Sequence, residues 1–312
     1  MRHHYAAAAA FLMVGVLVGC ATSGASPSPT ALPSFSSSPS PPASPASVPP
    51  STSASSFVPP TVATFEPSAG PGSEAWDLVA LGDSNVAGWG IRDDEPFSPA
   101  DAFPGVYAAS LSDERGVTVT LHSYYPDQLG NEIRTIAEWT DVVARDPAMR
   151  ADLGQAELVV VLIGFHDMLR VFLFGDCPGP WPDPMQECLR GFTERMPADF
   201  AELYAAIAAL VPDPATVLVL DYGSTPQAYS NWGDDPNWPA IRQAMFGDWQ
   251  DGLRSAAEDA GFRVVHMSTA LLADDGAPRY DAYEITSDGL HFNAAGHRIL
   301  ADQCLLEDGL PE

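Results

Sequence analysis

The sequence predicts an α/β domain with a doubly wound parallel sheet, and three observations carry that prediction. Short β-branched apolar runs recur, several of them continuous enough to be buried on both faces. Stretches of helical length separate one run from the next, the alternation that builds parallel sheets through right-handed crossovers. Proline and glycine sit where helices begin and end rather than inside the strands.

The predicted strands in order are 77–81, 117–121, 158–163, 216–220 and 263–267, of which Leu158-Val159-Val160-Val161-Leu162-Ile163 is the strongest. Helices are predicted around 101–113, 131–145, 198–211, 237–260 and 293–306. Pro197 fits the first turn of the third helix, where a missing N–H costs nothing, and Gly261 fits the stop of the fourth. In such sheets a site forms beyond the carboxyl ends of the strands, so the residues that follow each strand matter most.

The chain does not begin as a domain. Residues 1–20 read MRHHYAAAAAFLMVGVLVGC, an arginine and two histidines followed by an uncharged apolar run too short to span a membrane. Leu17-Val18-Gly19-Cys20 resembles the lipobox of bacterial lipoproteins, which implies a signal peptide over 1–20 and a diacylglycerol on Cys20. Two acyl chains give stable anchoring where one is marginal. Residues 21–73 are rich in Ser, Pro, Ala and Thr and are expected to be a disordered, semi-extended tether. At about 3.1 Å per residue it would reach at most roughly 160 Å. The expected location is the cell membrane, lipid-anchored, with the domain of residues 74–312 on the extracytoplasmic side.

Charge narrows the partners. There is no lysine, and residues 74–312 carry 13 Arg against 40 Asp and Glu, a net charge of −27. Such a surface repels phosphate backbones, so nucleic acid is not an expected partner, and a strongly anionic substrate needs a locally basic pocket. Export permits disulfides, and Cys177 and Cys188, eleven residues apart in a proline-rich insertion, are expected to pair. Cys304 is expected to be a buried free thiol. The histidines lack zinc-ligand spacing, and neither metal nor cofactor is expected.

Two segments carry chemistry. Gly82-Asp83-Ser84-Asn85 follows the first predicted strand, and Ser287-Asp288-Gly289-Leu290-His291-Phe292-Asn293 precedes the last helix. A serine in the first position alone reads as a helix cap, and the second segment alone reads equally well as a turn. Together they place a hydroxyl, an imidazole and a carboxylate on one rim of the sheet, where the carboxylate orients the imidazole and the imidazole takes the serine proton.

These blocks resemble those of the SGNH (GDSL-like) hydrolase family, and the resemblance covers roughly residues 76–306. It implies a three-layer, flavodoxin-like fold and ester hydrolysis through an acyl-enzyme, with Ser84, Asp288 and His291 as the triad. It also implies an oxyanion hole of the Ser84 backbone N–H, a glycine N–H for which Gly130 is the candidate, and an asparagine side chain. Here the chain departs from the family, reading Gly164-Phe165-His166-Asp167 where Gly-x-Asn-Asp is usual. His166 takes the asparagine's place, and an imidazole N–H can donate to an oxyanion only if it points inward. Asp167 is expected to brace loops, and His297 to pack on its helix near the site. Phe174 and Trp181 in one insertion, and Tyr229, Trp232 and Trp238 in another, are expected mainly to pin loops, with ring stacking or an acyl pocket as the alternative.

The expected substrate is an acylated small molecule or glycan, cleaved in the manner of a carboxylesterase or carbohydrate deacetylase. The same triad would serve an acyltransferase, which product analysis with a glycan acceptor distinguishes. A glycan-binding lipoprotein on a decayed site is the non-enzymatic alternative, favoured by the His166 departure and opposed by the intact Ser84, His291 and Asp288.

Overall fold

The computed structural model describes residues 60–68, 70, 74–89, 91, 97–126, 129, 135–172, 177, 179, 181–223, 225, 236–273, 277–283 and 289–310, with the backbone alone for Phe172, Trp238 and Met245. Five apolar runs pair in parallel: β2 (Ala75–Gly82), β3 (Thr118–Tyr124), β4 (Leu158–Leu162), β5 (Thr216–Leu220) and β6 (Arg263–Val265). A sixth strand, β1 (Thr61–Phe65), joins the edge antiparallel to β3, giving the order β1-β3-β2-β4-β5-β6. This corrects the expected boundary, because a strand of the sheet lies inside the stretch 21–73 read as tether. Its residues suit that place: Thr61-Val62-Ala63-Thr64-Phe65 is rich in β-branched side chains and alternates half-buried with exposed residues, as a one-faced edge strand does.

Strands β4 and β5 are buried on both faces, with all five residues of β4 buried. The helices on the two faces account for it. On one face α2 (Phe103–Arg115) packs on α11 (Ala294–Glu307), while α3 (Ile136–Arg145), α7 (Met196–Ala208) and α9 (Asp248–Asp259) form the other layer. Three layers follow, as the sequence predicts. A short α4 (Pro147–Leu153) follows α3 directly, capped by Asp146, whose carboxylate accepts from the N–H groups of Ala148 and Met149.

The single long helix expected over 237–260 is instead α8 (Trp238–Arg242), a π-helical turn (Gln243–Gly247) and α9. Near Cys177, α6 (Met185–Thr193) is held by the Cys177–Cys188 disulfide, Cα atoms 5.4 Å apart. Trp181 packs there with Val171, Met185 and Leu189, so its work is to seat the insertion. Cys304 is a buried free thiol, and burial pushes its pKa up.

The order of connections sets the site. The chain moves from β2 outward to β3, then crosses back over β2 to β4, so the winding reverses between β2 and β4. A crevice opens at the carboxyl ends of strands on either side of such a reversal. Gly82 of β2 is in register with Leu162 of β4, which brings the residues after each to face the same crevice.

Candidate active site

Ser84 is held by the turn that leaves β2. It opens the four-residue helix α1 (Ser84–Ala87), capped by Asp83, whose carboxylate accepts from the Asn85 N–H at 2.8 Å. The buried Asp83 carboxylate also accepts from the Tyr222 hydroxyl at 2.7 Å, which ties the turn to the end of β5. Only glycine fits before it: a Cβ on Gly82 would lie 2.4 Å from Val86 Cγ2 and 2.7 Å from the Leu162 carbonyl oxygen. Ser84 itself stays half-buried.

His291 arrives from the other end of the chain. The segment that carries it is fixed by Asn293, whose carboxamide oxygen accepts from the Ala295 and Gly296 N–H groups at the start of α11. The Asn293 amide nitrogen donates to the Asp281 and Tyr283 carbonyls at 2.9 and 3.1 Å. The result places His291 Nε2 2.7 Å from Ser84 Oγ, a hydrogen bond across 207 positions of sequence. A second link lies beside it: the Phe292 N–H donates to the buried Asn85 carboxamide oxygen at 3.3 Å. Serine turn and histidine loop are thus joined twice.

A hydroxyl bonded to an imidazole has the geometry that nucleophilic catalysis requires. The chain also matches a known family model, described as GDSL-like lipase/acylhydrolase, over residues 80–299. The chain belongs to the GDSL-like lipase/acylhydrolase family. This GDSL-type ester hydrolase is similar in structure to phospholipase A1 from Streptomyces albidoflavus NA297, with a TM-score of 0.53, 19% identity, and coverage of 75% of this chain and 99% of the other. It is similar to an extracellular lipase from Streptomyces rimosus (TM-score 0.52, 20% identity, 74% and 99% covered). It also resembles an acetyl xylan esterase from Geobacillus stearothermophilus (TM-score 0.51, 16% identity, 80% and 98% covered). No curated protein matches the chain.

The other residues expected in the site of this GDSL hydrolase are placed unevenly. Asp288, Gly130 and Cys20 lie outside the described residues, as do Phe174, Tyr229 and Trp232 and the side chain of Trp238. His166 stands half-buried in the first turn of α5 (Phe165–Phe172), just past β4. Gly164 makes that entry possible: its φ is +113°, and a Cβ there would meet Phe200 at 2.8 Å.

Asp167 is tied to the start of α3. Its carboxylate accepts from the Ile136 N–H at 3.0 Å and so caps α3 beside Thr135. Burial pushes its pKa up to about 7, with the Ile136 N–H opposing and Asp199 adding to the shift. The folded protein therefore holds this proton between the ordinary value of 3.8 and about 7, where the unfolded chain has lost it. Stability from this group falls as pH rises through that window. Asp167→Asn keeps the acceptor for Ile136 and removes the buried charge. It is expected to match the parent near pH 4 and to exceed its unfolding free energy at pH 8 by about 1–3 kcal/mol, read from urea unfolding at both pH values.

His297 is fully buried on α11, stacked with Phe103, and its Nδ1 accepts the Phe103 N–H at 3.0 Å. Burial, then the neighbouring His291, pushes its pKa down to about 3. It therefore stays neutral near pH 7 and adds no positive charge beside His291.

Four participants escaped the sequence reading: Asn85, Asp83 in its bracing role, Tyr222, and Trp89, whose ring centroid lies 5.9 Å from that of His291. A sequence signal existed for Asp83 alone, an aspartate before a helical turn.

Proposed function

We propose that this GDSL-family hydrolase is a lipid-anchored, cell-surface carboxylesterase or carbohydrate deacetylase that works through Ser84, His291 and Asp288. The observation that carries the reading is the 2.7 Å bond between Ser84 Oγ and His291 Nε2. In the reaction, Ser84 Oγ attacks the ester carbonyl carbon as its proton passes to His291 Nε2. The tetrahedral oxyanion is held by the Ser84 and Gly130 backbone N–H groups and by a His166 ring N–H, the donor that stands where the family's asparagine would. Collapse breaks the C–O bond to the alcohol, which takes the proton from His291 and departs. Water then enters, gives a proton to His291 and attacks the acyl-serine carbonyl, and the acid is released as Ser84 regains its proton. Asp288 orients the imidazole and stabilises its protonated form.

The amino-terminal pattern supports the location: an apolar run of signal-peptide length ending in Leu17-Val18-Gly19-Cys20, then a Pro/Ser-rich tract long enough to lift the domain from its anchor.

A fluorophosphonate tests the mechanism. Ser84 Oγ should displace fluoride from phosphorus and keep the label, located by peptide mapping at Ser84. His291→Ala should label more slowly by on the order of 10²-fold or more. A label on another residue, or active protein that takes none, defeats the proposal.

A further inference from the structure

We infer that Trp89, backed by Phe97 and Tyr125, is a stacking platform for a neutral sugar ring that forms the alcohol part of the ester. The inference rests on the proposed Ser84–His291 relay and adds to it a substrate class.

Geometry comes first. Among the described residues four large apolar side chains are exposed, Val62, Trp89, Tyr280 and Leu306, and Trp89 is the one of them in ring contact with His291. It is 40% exposed, so part of the side chain is open to solvent. Its backbone N–H donates to the Ser84 carbonyl at 2.9 Å, tying its main chain to the serine turn, and Phe97 meets its ring edge-on at 5.2 Å. Phe97 rests in turn on Tyr125, at 5.3 Å, at the end of β3. The row therefore runs from the relay across the carboxyl ends of the strands.

Chemistry decides which half of the ester lies there. The imidazole that takes the serine proton must hand it to the departing alcohol, so the alcohol lies against His291. The acyl carbonyl points the other way, towards the oxyanion donors. Trp89, in contact with the His291 ring, is thus beside the alcohol. A partly exposed indole suits a ring that is apolar on its C–H face and polar at its rim, because an indole is itself apolar in body and polar at one edge. A net charge of −27 disfavours the anionic interface of a phospholipid and is indifferent to a neutral sugar.

The experiment compares kcat/KM on three esters: a partially acetylated xylo-oligosaccharide, ethyl acetate and a short-chain phospholipid. Trp89→Ala and Trp89→Leu are expected to lower the ratio of oligosaccharide to ethyl acetate by about tenfold, as removal of a stacked ring does, while Trp89→Phe holds it within about twofold. An unchanged ratio in both, or a parent that cleaves ethyl acetate but not the oligosaccharide, overturns the inference. So does a loss confined to the phospholipid, which would make the platform a lipid seat. Ser84→Ala separates the levels: activity surviving there sinks the relay itself, whereas a dead Ser84→Ala with an unmoved ratio sinks the platform alone.

Discussion

Alanine at position 84 is expected to lower kcat on a short-chain ester by roughly 10⁴–10⁶-fold, while the free energy of unfolding moves by about 0.5 kcal/mol or less. The two effects separate because the residue's structural work is done by its backbone. The Ser84 carbonyl accepts from the Gly88 and Trp89 N–H groups, and alanine keeps both bonds. Its side chain is half-buried, with His291 as its partner, so the methyl leaves no buried group unsatisfied. What disappears is the oxygen proposed to form the acyl-enzyme. Any residual rate should come from substrate binding and the oxyanion donors, which still polarise a carbonyl for attack by water. Steady-state kinetics beside urea unfolding reads both quantities. An alanine variant with near-parental kcat contradicts the mechanism, and one that unfolds readily contradicts the reading of the turn.

The ease with which the fold can be read from the sequence varies with how local each cause is. Strand β4 is five consecutive buried aliphatics, and nothing but a doubly covered strand uses them that way. The reading of 216–220 coincides with β5, and those of the other strands differ at their ends by up to three residues. Strand β1 is hidden because it follows a Pro/Ser-rich tract and its partner, β3, begins more than fifty residues away. The π-helical turn within 237–260 is equally invisible, because a register slip of one hydrogen bond leaves no mark in composition. In the site, Ser84 stands out because it occupies a strand-end turn and His291 because it lies just before the last helix, each with recognisable neighbours. Asn85 and Tyr222 do not, since each matters through a bond to a residue 207 or 139 positions away. Trp89 carries no mark in the sequence, because what sets it apart is the position of its ring beside the imidazole.

The second large effect concerns stability at the end of β5. Asp221 is fully buried, a place where an unpaired carboxylate is prohibitive. It is not unpaired. Its carboxylate accepts from Arg254 Nε at 2.9 Å, from the Ser268 N–H at 2.7 Å and from the Ser268 hydroxyl at 2.9 Å. Three elements therefore converge on one side chain: β5, α9 through Arg254, and the short α10 (Met267–Ala270) through Ser268. Asp221→Ala would leave the Ser268 N–H without its acceptor and Arg254 without its main counter-charge. Breaking a buried pair from one side typically costs about 3–5 kcal/mol. Arg254 is 29% exposed and keeps Asp251 at 3.5 Å, so the lower end of that range is expected here, about 3 kcal/mol. Removing both charges should be gentler than removing one: Asp221→Ala combined with Arg254→Met is expected to recover about 1 kcal/mol or more of the loss. Urea unfolding of the two single variants and the double closes the cycle. Because Tyr222 follows directly and holds Asp83, the single variant should also lose turnover, through a serine turn braced on a loosened strand end. A cost below about 1 kcal/mol would mean that water replaces the carboxylate, and that the end of β5 is far less buried than its contacts require.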